Sequence, residues 1–134
     1  MIKRRNTFFT FILFVLVLCL TACQATVGGS GGKSYYILKR SLTMPHYWEV
    51  MVHKGIKSMY DAVLAGIGDL GLDKHQSKVD ELSGVVAGTF SDMTRFKIIL
   101  SFESTSVTLM RIGVGVTGNK QLSVKLFEAI EKHF

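Results

Sequence analysis

The chain has 134 residues, 48% of them hydrophobic, with sixteen Lys and Arg against ten Asp and Glu and a formal charge of +6. This length suits one small domain plus a leader or tether, and the apolar content excludes an intrinsically disordered chain. Two cysteines exclude a disulfide-stapled scaffold.

The first element is an export-like segment. Lys3, Arg4 and Arg5 precede an apolar run from Phe8 to Leu18, relieved only by Thr10, and small residues follow. Leu20-Thr21-Ala22-Cys23 then resembles the bacterial lipobox. The resemblance implies cleavage between Ala22 and Cys23, a diacylglycerol thioether on Cys23, and acylation of the new amino terminus, as with palmitate. A transmembrane helix is the competing reading, but a span needs about 20 apolar residues and Phe8 to Ala22 offers fewer. Removing residues 1–22 leaves 112, and takes three of the sixteen basic residues and none of the ten acidic ones, so the mature charge is +3. The remaining charges are scattered, and no nucleic-acid partner is expected. Cys19 leaves with the signal and Cys23 is lipidated, so the folded part has no thiol for a metal or a nucleophile. By resemblance to the lipoprotein sorting pattern, Gln24 stands where an aspartate would retain the protein in the inner membrane. The expected location is therefore the outer membrane facing the periplasm in a Gram-negative cell, and the plasma membrane in a Gram-positive one.

Residues 23–34 read as the lipidated cysteine and a Gly/Ser tether, and 35–134 as a single small α+β domain. Tyr35 to Thr43 is rich in β-formers, with Tyr36, Leu38 and Leu42 on one face and Lys39 and Ser41 on the other. Met44-Pro45-His46 interrupts it, and Tyr47 to Val52 resumes an extended pattern. Ile56, Met59, Tyr60, Val63, Leu64, Ile67 and Leu70 then recur at spacings of three and four, which predicts a helix ended by Gly71. Gly66 and Gly68 weaken that helix, and close packing against a sheet would explain them. A short polar segment leads to strands over Leu82–Phe90, Thr94–Glu103 and Val107–Val116, turning at Ser91-Asp92-Met93 and Ser104-Thr105-Ser106. The middle strand alternates Phe96, Ile98, Leu100 and Phe102 with Arg95, Lys97, Ile99 and Ser101. A last helix from about Lys120, capped by Asn119, sets Leu122, Leu126, Phe127 and Ile130 on one face. The expected architecture is an antiparallel sheet with two helices on one face, in the order β-β-α-β-β-β-α.

Met59-Tyr60-Asp61-Ala62-Val63 leading to Asp69-Leu70-Gly71-Leu72, then Leu82-Ser83-Gly84, then Arg111-Ile112-Gly113-Val114-Gly115 running through Gly118, form a recognisable series. With the lipobox and tether, it resembles small bacterial lipoproteins of an uncharacterised domain-of-unknown-function family, family 3568. The resemblance covers most of residues 47–134, with Tyr35 to Pro45 as an addition or a divergent start. It implies no transferable activity or site.

Sharper chemistry does not emerge from the remaining motifs. Gly113 to Gly118 has the G-x-G-x-x-G spacing between a strand and a helix, but a dinucleotide fingerprint needs a following parallel strand with an acid, and none is expected. Asn119 stands where a P-loop lysine would. His46, His53, His75 and His133 lie in different elements with no metal-ligand spacing. Asp80, Glu81, Asp92 and Glu103 fall at turns or strand ends, and Ser77, Ser83 and Ser123 lack nucleophile-elbow glycines. Basic and aromatic residues at Lys33-Ser34-Tyr35-Tyr36 and Lys39-Arg40 suit either a membrane interface or a charge-protected strand edge. Met44, Met51 and Met59 suit either a greasy groove or core filling. The expected function is a non-enzymatic, membrane-anchored envelope module without cofactor or metal, with the bilayer and an envelope protein as partners. The alternative is a small carrier or sensor holding an apolar ligand between sheet and helices.

Overall fold

The structure, a computed structural model, describes residues 36–134. The export-like segment, Ala22, Cys23, Gln24 and the tether lie outside the described residues. In chain order the elements are β1 (Lys39–Arg40), β2 (Trp48–Val52), α1 (Ile56–Asp69), β3 (Asp73–Val79), β4 (Ser83–Thr89), β5 (Arg95–Ser104), β6 (Val107–Val114) and α2 (Lys120–Glu131). The strands form one six-stranded sheet in the order β1-β2-β6-β5-β4-β3, and every neighbouring pair is antiparallel. The domain is α+β.

Period-2 alternation sets the core. Phe96, Ile98 and Leu100 of β5 pair with Val114, Ile112 and Met110 of β6, and all six are buried. Val50 and Val52 of β2 and Val86 of β4 extend the row. Met59, Val63 and Ile67 of α1 and Leu126, Phe127 and Ile130 of α2 share this one cluster with them. The intervening residues stand outside it: Val85, Ala87, Ile99, Leu109, Arg111 and Gly113 are half-buried, and Lys97 is exposed. Asn119 caps α2 as expected, its Oδ1 accepting from the Leu122 amide at 3.0 Å.

Three departures from the sequence reading have physical causes. The polar segment before β4 is a strand, so the order gains a β and becomes β-β-α-β-β-β-β-α. Asp73 to Val79 buries almost nothing, so hydrophobic alternation could not reveal it; backbone pairing to β4 makes it a strand. The first strand shrinks to two residues, and its faces differ from those expected: Leu38 and Ser41 are buried, whereas Leu42 is 96% exposed. Ser41 turns inward because its amide donates to Tyr47 O and its Oγ accepts from the Met44 amide, closing a tight loop. Finally, Gly66 packs against Ile130 of α2 rather than the sheet, and a Cβ at Gly68 would meet no neighbouring atom within 4 Å.

Candidate functional site

One end of the sheet gathers four connections. Trp48 of β2 pairs with Ile112 of β6, Phe96 with Val114, Thr89 with Arg95, and Asp73 with Thr89. The starts of β2, β3 and β5 and the ends of β4 and β6 therefore coincide. Segments 41–47, 70–72, 90–94 and 115–119 meet at that edge, which we term the loop end.

A groove of about 890 Å³ opens there. Its floor is the row Gly113, Lys97, Ala87, Gln76, which are successive partners across β6, β5, β4 and β3. Its walls include His46 and Tyr47 from the β1–β2 loop, His75 from β3, Met93, Arg95 and Val116. Tyr47 lies where it does because residue 113 has no side chain: a Cβ there would sit 2.7 Å from the tyrosine ring. Gly118, with φ +74°, likewise lets the His46 carbonyl approach, since a Cβ would meet that oxygen at 2.4 Å. The G-x-G-x-x-G glycines thus serve chain packing and left-handed turns. His75 sits in the irregular register between Lys74 and Gln76, and its Nε2 lies 3.0 Å from Thr89 Oγ1.

Electrostatically the groove is one-sided. Arg95, Lys97, His46 and His75 line it, and among the described residues no carboxylate does. Of the acids at this end, Asp73 stands exposed at the start of β3, while Asp92 and Glu49 have partners. The Asp92 carboxylate accepts the Thr94 amide at 2.9 Å, and this backbone hydrogen bond holds its pKa below the ordinary 3.8. Glu49 pairs with Arg111 at 3.4 Å on the adjoining row. Arg40 flanks the same end, donating to Pro45 O at 2.6 Å and Thr117 O at 3.4 Å while its guanidinium stands 5.8 Å from the Trp48 ring.

Residues singled out in the sequence are distributed as follows. His46 and His75, far apart in the chain, come together at the groove; His53 does not join them, and His133 bonds Asp69 at 2.6 Å between the two helix ends. Asp80 holds the β3–β4 turn, accepting the Leu82 and Ser83 amides at 2.8 Å each. Ser83 donates to Asp80, and buried Ser123 donates to Asn119 O. Ser77, Glu81 and Glu103 are exposed. The membrane-interface cluster is divided: Tyr36 packs edge-on against Phe127 and Phe134, Arg40 is tied to loop carbonyls, and Lys33 to Tyr35 lie outside the described residues. The methionines share no groove, since Met59 is core while Met44 and Met51 are exposed. Among the described residues no group of three or more His, Cys, Asp or Glu is placed to hold a metal ion. Sequence reasoning missed the meeting of Arg95 and Lys97 with His46 and His75. The alternation of β5 already put the first two on one face; the histidines needed β3 and the loop packing.

The fold and groove define an α+β domain with a six-stranded antiparallel sheet and a cationic cleft at one end of it. The chain matches a family model over residues 6–133 and belongs to that family, described as protein of unknown function DUF3568. The matched range includes Tyr35 to Pro45. Among curated proteins none matches the chain.

Proposed function

We propose that this protein is a lipid-anchored, non-enzymatic envelope module that binds an anionic partner in the groove at the loop end. The observation that carries the reading is a lining with Arg95, Lys97, His46 and His75 and, among the described residues, no carboxylate. Both helices cover the other face of the sheet, leaving this face free. A cleft of about 890 Å³ falls in the range of small-molecule sites, and Tyr47, Met93 and Val116 add apolar wall to the charge. Anchoring rests on Leu20-Thr21-Ala22-Cys23. A carrier with its ligand between sheet and helices has the space against it, because Val63, Ile98, Met110, Ile112, Leu126 and Ile130 fill that layer at 0% exposure.

Two measurements test the parts separately. Fatty-acid labelling in cells should mark the parent and not Cys23→Ser; equal labelling sinks the anchor. In amide-resolved NMR spectra, glycerol phosphate should shift Gly113, Gly115 and His75, and the Arg95→Glu/Lys97→Glu variant should lose the response. Shifts that persist in that variant, or that never occur at the groove, sink the anion site.

A further inference from the structure

The loop end carries more than the groove. Leu42 is 96%, Val116 91% and Met93 75% exposed, each at the tip of a different connection. The loop ending at Tyr47 also exposes Met44. Isolated exposed apolar residues need no explanation, but here three connections at one edge each present one. Met93 and Val116 line the groove with Arg95, Lys97, His46 and His75; Leu42 and Met44 belong to the loop that supplies His46, and Arg40 is fixed alongside by its two carbonyl contacts. Apolar tips around a cationic, carboxylate-free depression match the layering of an anionic bilayer surface. There, headgroup phosphates lie just outside the first methylenes, and cations gain from the negative surface potential.

We infer that the loop end is a second membrane contact: Leu42, Met93 and Val116 enter the interface of an anionic phospholipid bilayer while Arg95 and Lys97 receive a headgroup phosphate in the groove. This deepens the anion-binding reading and rests on it. The length of chain before the described residues permits the pose. Gln24 to Tyr35 is twelve residues, at most about 40 Å when extended. The described chain begins at Tyr36, four residues before Arg40, and the β1 register, Arg40 opposite Trp48 and Lys39 opposite Glu49, carries it from the loop end back along the sheet. Four extended residues span about 13 Å, and the tether reaches past that distance. Anchor and loop end can therefore meet the same leaflet, and tethering raises the effective concentration of the weak second contact. Asp92 is the opposing charge at the tip of 90–94; its carboxylate is directed at its own loop through the Thr94 amide. Leu82 supplies an internal control, being 67% exposed in the turn at the opposite end of the sheet.

The test uses the lipidated protein with an environment-sensitive dye at Met93→Cys or Leu82→Cys. It is reconstituted in phosphatidylcholine vesicles with or without phosphatidylglycerol. The dye at position 93 should be shielded from aqueous iodide only when phosphatidylglycerol is present, and the dye at 82 should stay accessible in both. Arg95→Glu/Lys97→Glu should lower docking about tenfold or more and return the position-93 dye to water. Equal behaviour of the two dyes, shielding in neutral vesicles that the charge reversal leaves intact, or a position-93 dye that stays in water overturns the inference. Glycerol phosphate shifting the groove amides while that dye remains accessible identifies a soluble anion instead, overturning the bilayer but keeping the anion site. Flotation separates the anchor: protein that floats only with anionic vesicles, with position 93 shielded, retains the docking end and loses the lipoprotein reading.

Discussion

Two glycines two residues apart on α1, and so on different sides of it, show how much a single hydrogen atom decides. At Gly66 an added Cβ would lie 2.8 Å from the backbone and side chain of Ile130, so the two helices approach there as closely as backbone allows. Overfilling such a contact costs about 1–3 kcal/mol, more than the up to 1 kcal/mol that alanine returns in helix propensity. At Gly68 a Cβ meets nothing within 4 Å, and only the propensity gain remains. Gly66→Ala should therefore lower the thermal midpoint, and Gly68→Ala should raise it by a few degrees. Calorimetry of the two variants would decide, and a shift of the same sign in both would mean that the α1–α2 contact is not as close as described. The sequence marks both glycines as costly to the helix without telling them apart, because nothing local says that position 66 faces α2.

At the level of elements, legibility followed burial. The β5 and β6 strands and both helices announce themselves through alternating or three-and-four spacing because each buries one side. β3 buries only part of Val79 and carries Lys74 and Lys78, a composition suited to a sheet edge that must not recruit another strand. Its partner is recognised through backbone hydrogen bonds and a turn, neither of which leaves a hydrophobic period. The groove was half legible for the same reason: Arg95 and Lys97 follow from β5, whereas His75 depends on the unrecognised strand. The turn joining β3 to β4 rests on Asp80, whose pKa the Leu82 and then the Ser83 amides hold below the ordinary 3.8. A depressed carboxylate contributes stability that is present above its unfolded value and lost as pH falls through the folded one. The stability difference between the parent and Asp80→Ala should thus stay constant from neutral pH down to just above 3.8, then shrink and vanish on further acidification. Denaturant titrations across that range would show it, and a difference that persists in acid would assign the turn to something other than the carboxylate.

For the whole molecule, the proposed groove works only if it meets its partner, and under the proposed anchor that is decided outside the folded body. Twelve residues separate Cys23 from Tyr36, too few to carry the groove far from the leaflet holding the lipid. The leaflet in turn depends on which membrane receives the protein. Gln24 is uncharged, and by the sorting pattern it resembles, an uncharged residue there sends the lipoprotein outward in a Gram-negative envelope. Gln24→Asp changes no described residue, so folding and groove chemistry should be unchanged. In a Gram-negative host, gradient separation should place the parent with outer-membrane markers and Gln24→Asp with inner-membrane ones, while Cys23→Ser should leave the mature lipidated species absent from both. The inner leaflet of an outer membrane and the outer leaflet of an inner membrane both face the periplasm, so the loop end meets headgroups in either place. Retargeting should therefore move the protein without exposing a position-93 probe, provided both leaflets are anionic. If the parent itself sediments with inner-membrane markers, the assignment of Gln24 as an outward signal fails.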